Sequence, residues 1–253
     1  KPSLTRMNNP ESLAADTVAY FKANVPKGQY IFHTFWHEPE GGSDAGGGTI
    51  AAKQARWHAI HDALYDEFVA ARAQGYKFFT APIICDWVCK QSAGSDKGTL
   101  DTWYPTTWTK YDVQGYDVYP QGKNASGAND ICRVAMTSDN VVKPYADATR
   151  YDCYDFIIRI AAHAKKCGKP WGSGETGIIR QDLSGADVLY NCTLQQRGQR
   201  QQDIVNHVSS LTNPPWIWTW YDDGGCTIHG NDPGGYSAAV WNATINNSGT
   251  LTA

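Results

Sequence analysis

Tyr30-Ile-Phe-His-Thr-Phe-Trp-His-Glu-Pro-Glu40 is the stretch on which the reading of the chain turns. Aromatic and β-branched residues dominate it as far as Trp36, which predicts a short buried strand. Pro39 biases Glu38 away from helix, so the strand is expected to stop there with the Glu38 carboxylate at its carboxyl end. In a barrel of parallel strands, chemistry is placed at that end. A second stretch has the same form. Lys169-Pro-Trp-Gly-Ser-Gly-Glu-Thr-Gly177 puts Glu175 at the end of another short strand, wrapped in glycines.

Outward from these two stretches the chain alternates regularly. Asn9 as cap, Pro10 at the first position and Glu11 in the first turn predict a helix whose apolar face is Leu13, Ala14, Val18 and Phe21. After the Tyr30–Trp36 strand comes a glycine-rich linker, Gly41 to Gly48. Trp57, Ile60, Leu64 and Phe68 then recur at helical spacing between Ile50 and Gln74, with Gly75 as the stop. Tyr76 to Asp86 reads as a second strand, and an irregular stretch runs from there to Tyr111. Tyr116-Asp-Val-Tyr119-Pro is a third strand. A helix is expected over Tyr151 to Lys166, with Phe156, Ile157, Ile160 and Ala164 inward and a stop at Gly168. The Glu175 strand follows, then a helix from Asp203 to Leu211, the Trp216-Ile-Trp-Thr-Trp220-Tyr-Asp-Asp strand and a last helix near Ala238 to Ile245.

This rhythm predicts an α/β fold with a parallel sheet and helices outside it. Tight turns lead into the strands and long polar loops follow them, an asymmetry that fits the two faces of a (β/α)8 TIM barrel. At 253 residues, one large α/β domain is expected.

The totals narrow the function. A net charge of −3 gives no pointer to nucleic acid or to an anionic membrane surface, and no stretch is long and apolar enough for a spanning helix. Ten Trp, fourteen Tyr and seven Phe suit either an aromatic core or a groove paved with flat faces for sugar rings. Seven cysteines contain no C-x-x-C pair, against a zinc ribbon or redox motif, while Cys85 with Cys89 and the loop residues Cys192 and Cys226 suit disulfides. Sequons at Asn124, Asn191, Asn242 and Asn246 lean towards an extracellular, secreted protein. His58 and His61 lie three apart on one helix, and with no third ligand in view they are expected to be surface or packing histidines rather than metal ligands. No metal and no cofactor are expected. The start at Lys1, without Met or a signal peptide, reads as processed or truncated.

His37-Glu38-Pro39 at one strand end, Glu175 three strands later and a Trp strand after that resemble the clan A retaining glycoside hydrolases. The likeness is greatest to family 26, the β-mannanase-type barrels, where a histidine directly precedes the acid/base. It runs over about Lys1 to Asp223. The resemblance implies Glu38 as general acid/base and Glu175 as nucleophile. It also implies substrate contacts from Trp36, His37, Tyr119, Trp218 and Trp220, with Tyr119 hydrogen-bonding the nucleophile and His37 orienting the carboxylates. Asp117 is a further substrate-binding candidate, as a loop cap or a hydrogen-bonder to the sugar. The implied reaction is an endo-acting double displacement on a β-linked polysaccharide such as mannan or β-glucan. Retention needs two carboxyl groups about 5–5.5 Å apart.

The same resemblance makes Tyr30–Glu38 the fourth strand of eight, so the first three strands are not recognisable in this chain. The single barrel domain expected over residues 1–253 is then N-terminally incomplete, and an upstream segment or another chain is expected to complete it, since an open sheet would expose its edges. The alternative function is a non-catalytic carbohydrate-binding or structural module on the same barrel. Retention of both Glu38 and Glu175 argues against it. The expected partner is a polysaccharide or oligosaccharide, with no nucleic acid and no membrane.

Overall fold

The computed structural model describes residues 3–41, 48–91, 94–118, 153–176 and 204–220. The chain divides into two compact units, residues 1–116 with 163–172, and residues 117–162 with 173–253.

The first unit opens with a single-turn helix α1 (Leu4–Met7), capped by Ser3, whose Oγ accepts from the Arg6 N–H. Helix α2 (Pro10–Asn24) starts where Asn9-Pro10-Glu11 predicts and buries Leu13, Ala14 and Val18. Strand β1 (Tyr30–His33) follows, then α3 (Ile50–Arg72), with Thr49 as its cap. Trp57, Ile60, Leu64 and Phe68 are all fully buried, as their spacing requires, and α3 packs on both α2 and the next strand. Strand β2 (Lys77–Thr80) pairs in parallel with β1, Tyr30 opposite Lys77 through His33 opposite Thr80. Strand β3 (Ile83–Cys85) leads into a 3-10 turn (Asp86–Lys90) and α4 (Leu100–Trp103). The unit also holds β4 (Gln114–Asp117) as far as Tyr116, the last turn of α5 (Cys153–Lys166) and the start of β5 (Trp171–Thr176).

Two details lock this sheet. Pro82 has no N–H and separates β2 from β3, but its carbonyl accepts the Gly115 N–H at 2.8 Å and the Tyr104 hydroxyl. A Cβ on Gly115 would stand 2.6 Å from both Pro82 O and Ile83 Cγ1, so only glycine lets β4 approach. At the other end, Asp112 Oδ2 accepts the Thr80 N–H at 2.8 Å and pairs with Arg72 at 3.2 Å, while Arg72 also donates to Phe78 O at 2.6 Å. The aromatic surplus is spent in the core of this unit. Trp57 meets Trp103, Trp108 and Tyr104 at ring-centroid distances of 5.3, 5.3 and 5.5 Å.

In the second unit the end of β4 lies beside the end of β5, where the Val118 N–H donates to Glu175 O at 2.9 Å. Strand β6 (Ile217–Trp220) is the other neighbour of β5. Phe156, Ile157, Ile160 and Ala161 are buried on α5, and residues 204–210 are helical with Ile204 and Val208 buried. The sheets are parallel and the class is α/β.

Four sequence expectations are corrected. The first strand ends at His33 rather than Trp36 or Glu38, because Trp36 and Glu38 take left-handed φ values of 47° and 49° that no strand accommodates. Tyr76–Asp86 is two strands, divided at Pro82. The irregular stretch to Tyr111 contains the 3-10 turn and α4. Cys85 and Cys89 form no disulfide. Cys85 closes β3 in extended conformation, half-buried, whereas Cys89 is buried inside the 3-10 turn that follows. Tyr119, Cys192, Cys226, the four sequons and the last predicted helix lie outside the described residues.

Candidate active site

The end of β1 and the segment after it are held by backbone hydrogen bonds at His33, Phe35 and Glu38. Ala81 N–H donates to His33 O at 2.8 Å, and Phe35 N–H donates to Nε2 of the fully buried His61 at 3.2 Å. His61 Nδ1 in turn donates to Trp57 O at 2.8 Å, so one ring nitrogen accepts, the other donates, and the imidazole is neutral. Burial depresses its pKa to about 3. His58 bonds Trp103 O at 2.8 Å, so both histidines of α3 serve packing, as expected. Next along the segment, the Glu38 N–H donates to Ile83 O at 3.2 Å.

Glu38-Pro39-Glu40-Gly41 closes as a turn, with the Gly41 N–H donating to Glu38 O at 3.2 Å. Proline second and glycine fourth suit that turn. Glu40 is 1% exposed, and its Oε1 accepts the Cys85 N–H at 2.5 Å. A carboxylate oxygen of Glu38, one of Glu40 and the Cys85 Sγ lie within 4.8 Å of one another. Three such donors are within reach of one cation, but Glu40 already has a role in holding Cys85. Cys85 Sγ contacts Asp86 Oδ1 at 3.6 Å. Trp36 is buried at 2% exposure, and with His33, His37, Phe21, Tyr20 and Arg6 it lines an open cleft of about 700 Å³.

The second unit carries the other candidates. Asp117 ends β4 and is fully buried, and Glu175 is the penultimate residue of β5 and half-buried. Ser173 Oγ donates to Glu175 O at 2.8 Å and also meets the Thr176 hydroxyl, fixing the strand end. Trp218 and Trp220 lie on β6, with Trp218 half-buried; the Trp220 side chain is outside the described residues. Trp216, just before that strand, is 54% exposed.

Trp36, His37 and Glu38 are therefore neighbours in one unit, and Asp117 and Glu175 in the other. Sequence reasoning missed Glu40 and His61 as supports of the Glu38 segment. The Glu-Pro-Glu-Gly turn signature was a signal for the first. Nothing local could have found the second, which acts across 26 residues of sequence.

No protein-family model matches the chain, and no curated protein matches it. Solved structures do. A modular endo-β-1,4-mannanase of glycoside hydrolase family 26 from Cellulomonas fimi aligns with 94% of this chain at a TM-score of 0.56 and 14% identity. The alignment spans 46% of the mannanase. A fungal β-1,4-galactanase (TM-score 0.49, 12% identity, 87% of this chain and 60% of that one) is similar at a lower level. So is the family 113 β-mannanase of Alicyclobacillus acidocaldarius (TM-score 0.49, 11% identity, 95% and 62%). The first match carries the argument, and what it shows is fold: the α/β architecture of the TIM-barrel glycosidases, over about half of the mannanase's length.

Proposed function

We propose that this chain is part of a retaining glycoside hydrolase, endo-acting on a β-linked polysaccharide such as mannan or β-glucan, of the family 26 type and secreted. The observation that carries the reading is the placement of Glu38. It sits beyond the carboxyl end of a parallel strand, on a left-handed residue, in a segment pinned by His61, Ile83 and Cys85. Backbone strain of this kind costs about 1–3 kcal/mol and collects at functional sites. The fold likeness to a mannanase is consistent with it. Glu175, at the end of its own parallel strand, supplies the second carboxylate that the chemistry needs.

In this reading Glu175 attacks the anomeric carbon as its carboxylate while protonated Glu38 gives its proton to the leaving oxygen. The glycosyl–Glu175 ester is then hydrolysed by water that Glu38, now ionised, deprotonates. His37 orients the carboxylates, Tyr119 hydrogen-bonds Glu175, and Trp36, Asp117, Trp218 and Trp220 contact the sugars. No metal or cofactor takes part.

Reducing-end release from a panel of β-linked polysaccharides by the full-length protein tests the reading. Wild type is expected to release sugar and Glu175→Gln to release none. Glu175→Ala with added azide should yield the inverted glycosyl azide. Silence from wild type, together with binding to the same panel, would replace the reading with a carbohydrate-binding module. An unaffected rate in both Glu175 variants and in Glu38→Ala would overturn the site.

A further inference from the structure

We infer that Glu40 is a positioning residue for the acid/base Glu38, holding its turn in register with the end of β3; this rests on the catalytic reading above. Glu40 touches no substrate in this scheme, since it is 1% exposed. A carboxyl group removed from water needs a hydrogen-bond partner, and Glu40 Oε1 has one in the Cys85 N–H at 2.5 Å. That bond fixes the third residue of the Glu38–Gly41 turn to the last residue of β3. Two residues earlier in that strand, Ile83 O accepts the Glu38 N–H. The turn is thus tied to one strand at both its first and third residues, by one backbone bond and one side-chain bond.

The tie matters because Glu38 is left-handed, at φ 49°. A glutamate relaxes out of that region unless its surroundings hold it. Pro39 restricts the turn from within, and Glu40 adds a side-chain attachment outside it to the backbone bond of the Glu38 N–H. With Glu40 shortened to alanine, the Cys85 N–H loses this acceptor and the turn loses its side-chain link to β3. The Glu38 carboxyl then moves relative to the leaving oxygen, and misplacement of about 1 Å can cost on the order of 10²-fold in rate.

The defect has a chemical signature that loss of folding lacks. Proton donation by Glu38 counts for poor leaving groups and hardly at all for good ones. Full-length wild type, Glu38→Ala, Glu40→Ala and Glu40→Gln are compared on the natural polysaccharide and on a dinitrophenyl glycoside of the same sugar, with melting temperatures recorded. Because Glu38 also serves as base in the second step, the comparison is made on kcat/KM, which reports the glycosylation step: Glu40→Ala is expected to lose about 10²-fold in kcat/KM on the polysaccharide and less than about 10-fold in kcat/KM on the aryl glycoside. Glu40→Gln keeps an acceptor oxygen for Cys85 N–H and is expected to stay within about 10-fold of wild type on both. Equal losses of Glu40→Ala on the two substrates would mark a loss of folded protein and overturn the inference. So would wild-type kinetics in Glu40→Ala while Glu38→Ala shows the leaving-group pattern. An inactive wild type would instead overturn the glycosidase reading itself, and this inference with it.

Discussion

Acid should unfold this protein through two histidines beside the candidate site. His33 packs edge-on against Phe21 at 5.2 Å and Phe35 at 4.8 Å, and its buried Nε2 makes no hydrogen bond. Burial lowers its pKa from 6.5 to about 4, and that of His61 from 6.5 to about 3. Both fold neutral. Below pH 6.5 the unfolded chain binds protons that the folded chain refuses, so stability is complete above pH 6.5 and falls with pH towards 3. At pH 5, 1.5 units below the unfolded value, each group costs roughly 2 kcal/mol at 1.36 kcal/mol per unit, about 4 kcal/mol together. That is a large part of a typical 5–15 kcal/mol. His58 and His163 are shifted down by burial too and act in the same direction. Urea unfolding followed by tryptophan fluorescence at pH 8 and pH 5 measures the difference. His33→Phe keeps the ring packing and removes one titrating group, so its loss over that interval should be smaller than that of wild type by roughly 2 kcal/mol. Equal stability of wild type at the two pH values would refute the reasoning, as would an undiminished loss in His33→Phe.

Two further substitutions test the frame. Gly115→Ala should destabilise by about 1–3 kcal/mol in the same urea assay, because its methyl group enters Pro82 O and Ile83 at 2.6 Å and the backbone has to give. Asp112→Ala should cost about 3–5 kcal/mol, since it leaves the Arg72 guanidinium and the Thr80 N–H without their shared acceptor. Restoration of most of that loss by the additional change Arg72→Met would trace it to the stranded charge.

Long periodic elements were legible in the sequence. Helix α3 was readable from Trp57, Ile60, Leu64 and Phe68 because one face of a 3.6-residue repeat has to be apolar, and all four are fully buried. Helix α2 was readable from Asn9-Pro10, although the Asn9 side chain makes no capping bond. The regular alternation of helices and strands made the parallel α/β class readable as well, and the fold likeness to a mannanase agrees with it. Strand ends were less legible. Phe35 and Trp36 continue the aromatic pattern, so composition extends β1 past His33, where the left-handed φ of Trp36 has already ended it. The role of the aromatics was balanced in the sequence too. Only packing shows that Trp57, Trp103, Tyr104 and Trp108 are core.

The local chain by itself determined where the long helices α2 and α3 lie, because capping, proline geometry and amphipathic period act over a few neighbours. Tertiary structure alone decided how Glu38 is held. His61 lies 26 residues beyond the backbone N–H it accepts from, and Cys85 lies 45 beyond the carboxylate it meets. Such bonds exist only once parallel strands have brought distant segments side by side, and no local preference encodes them.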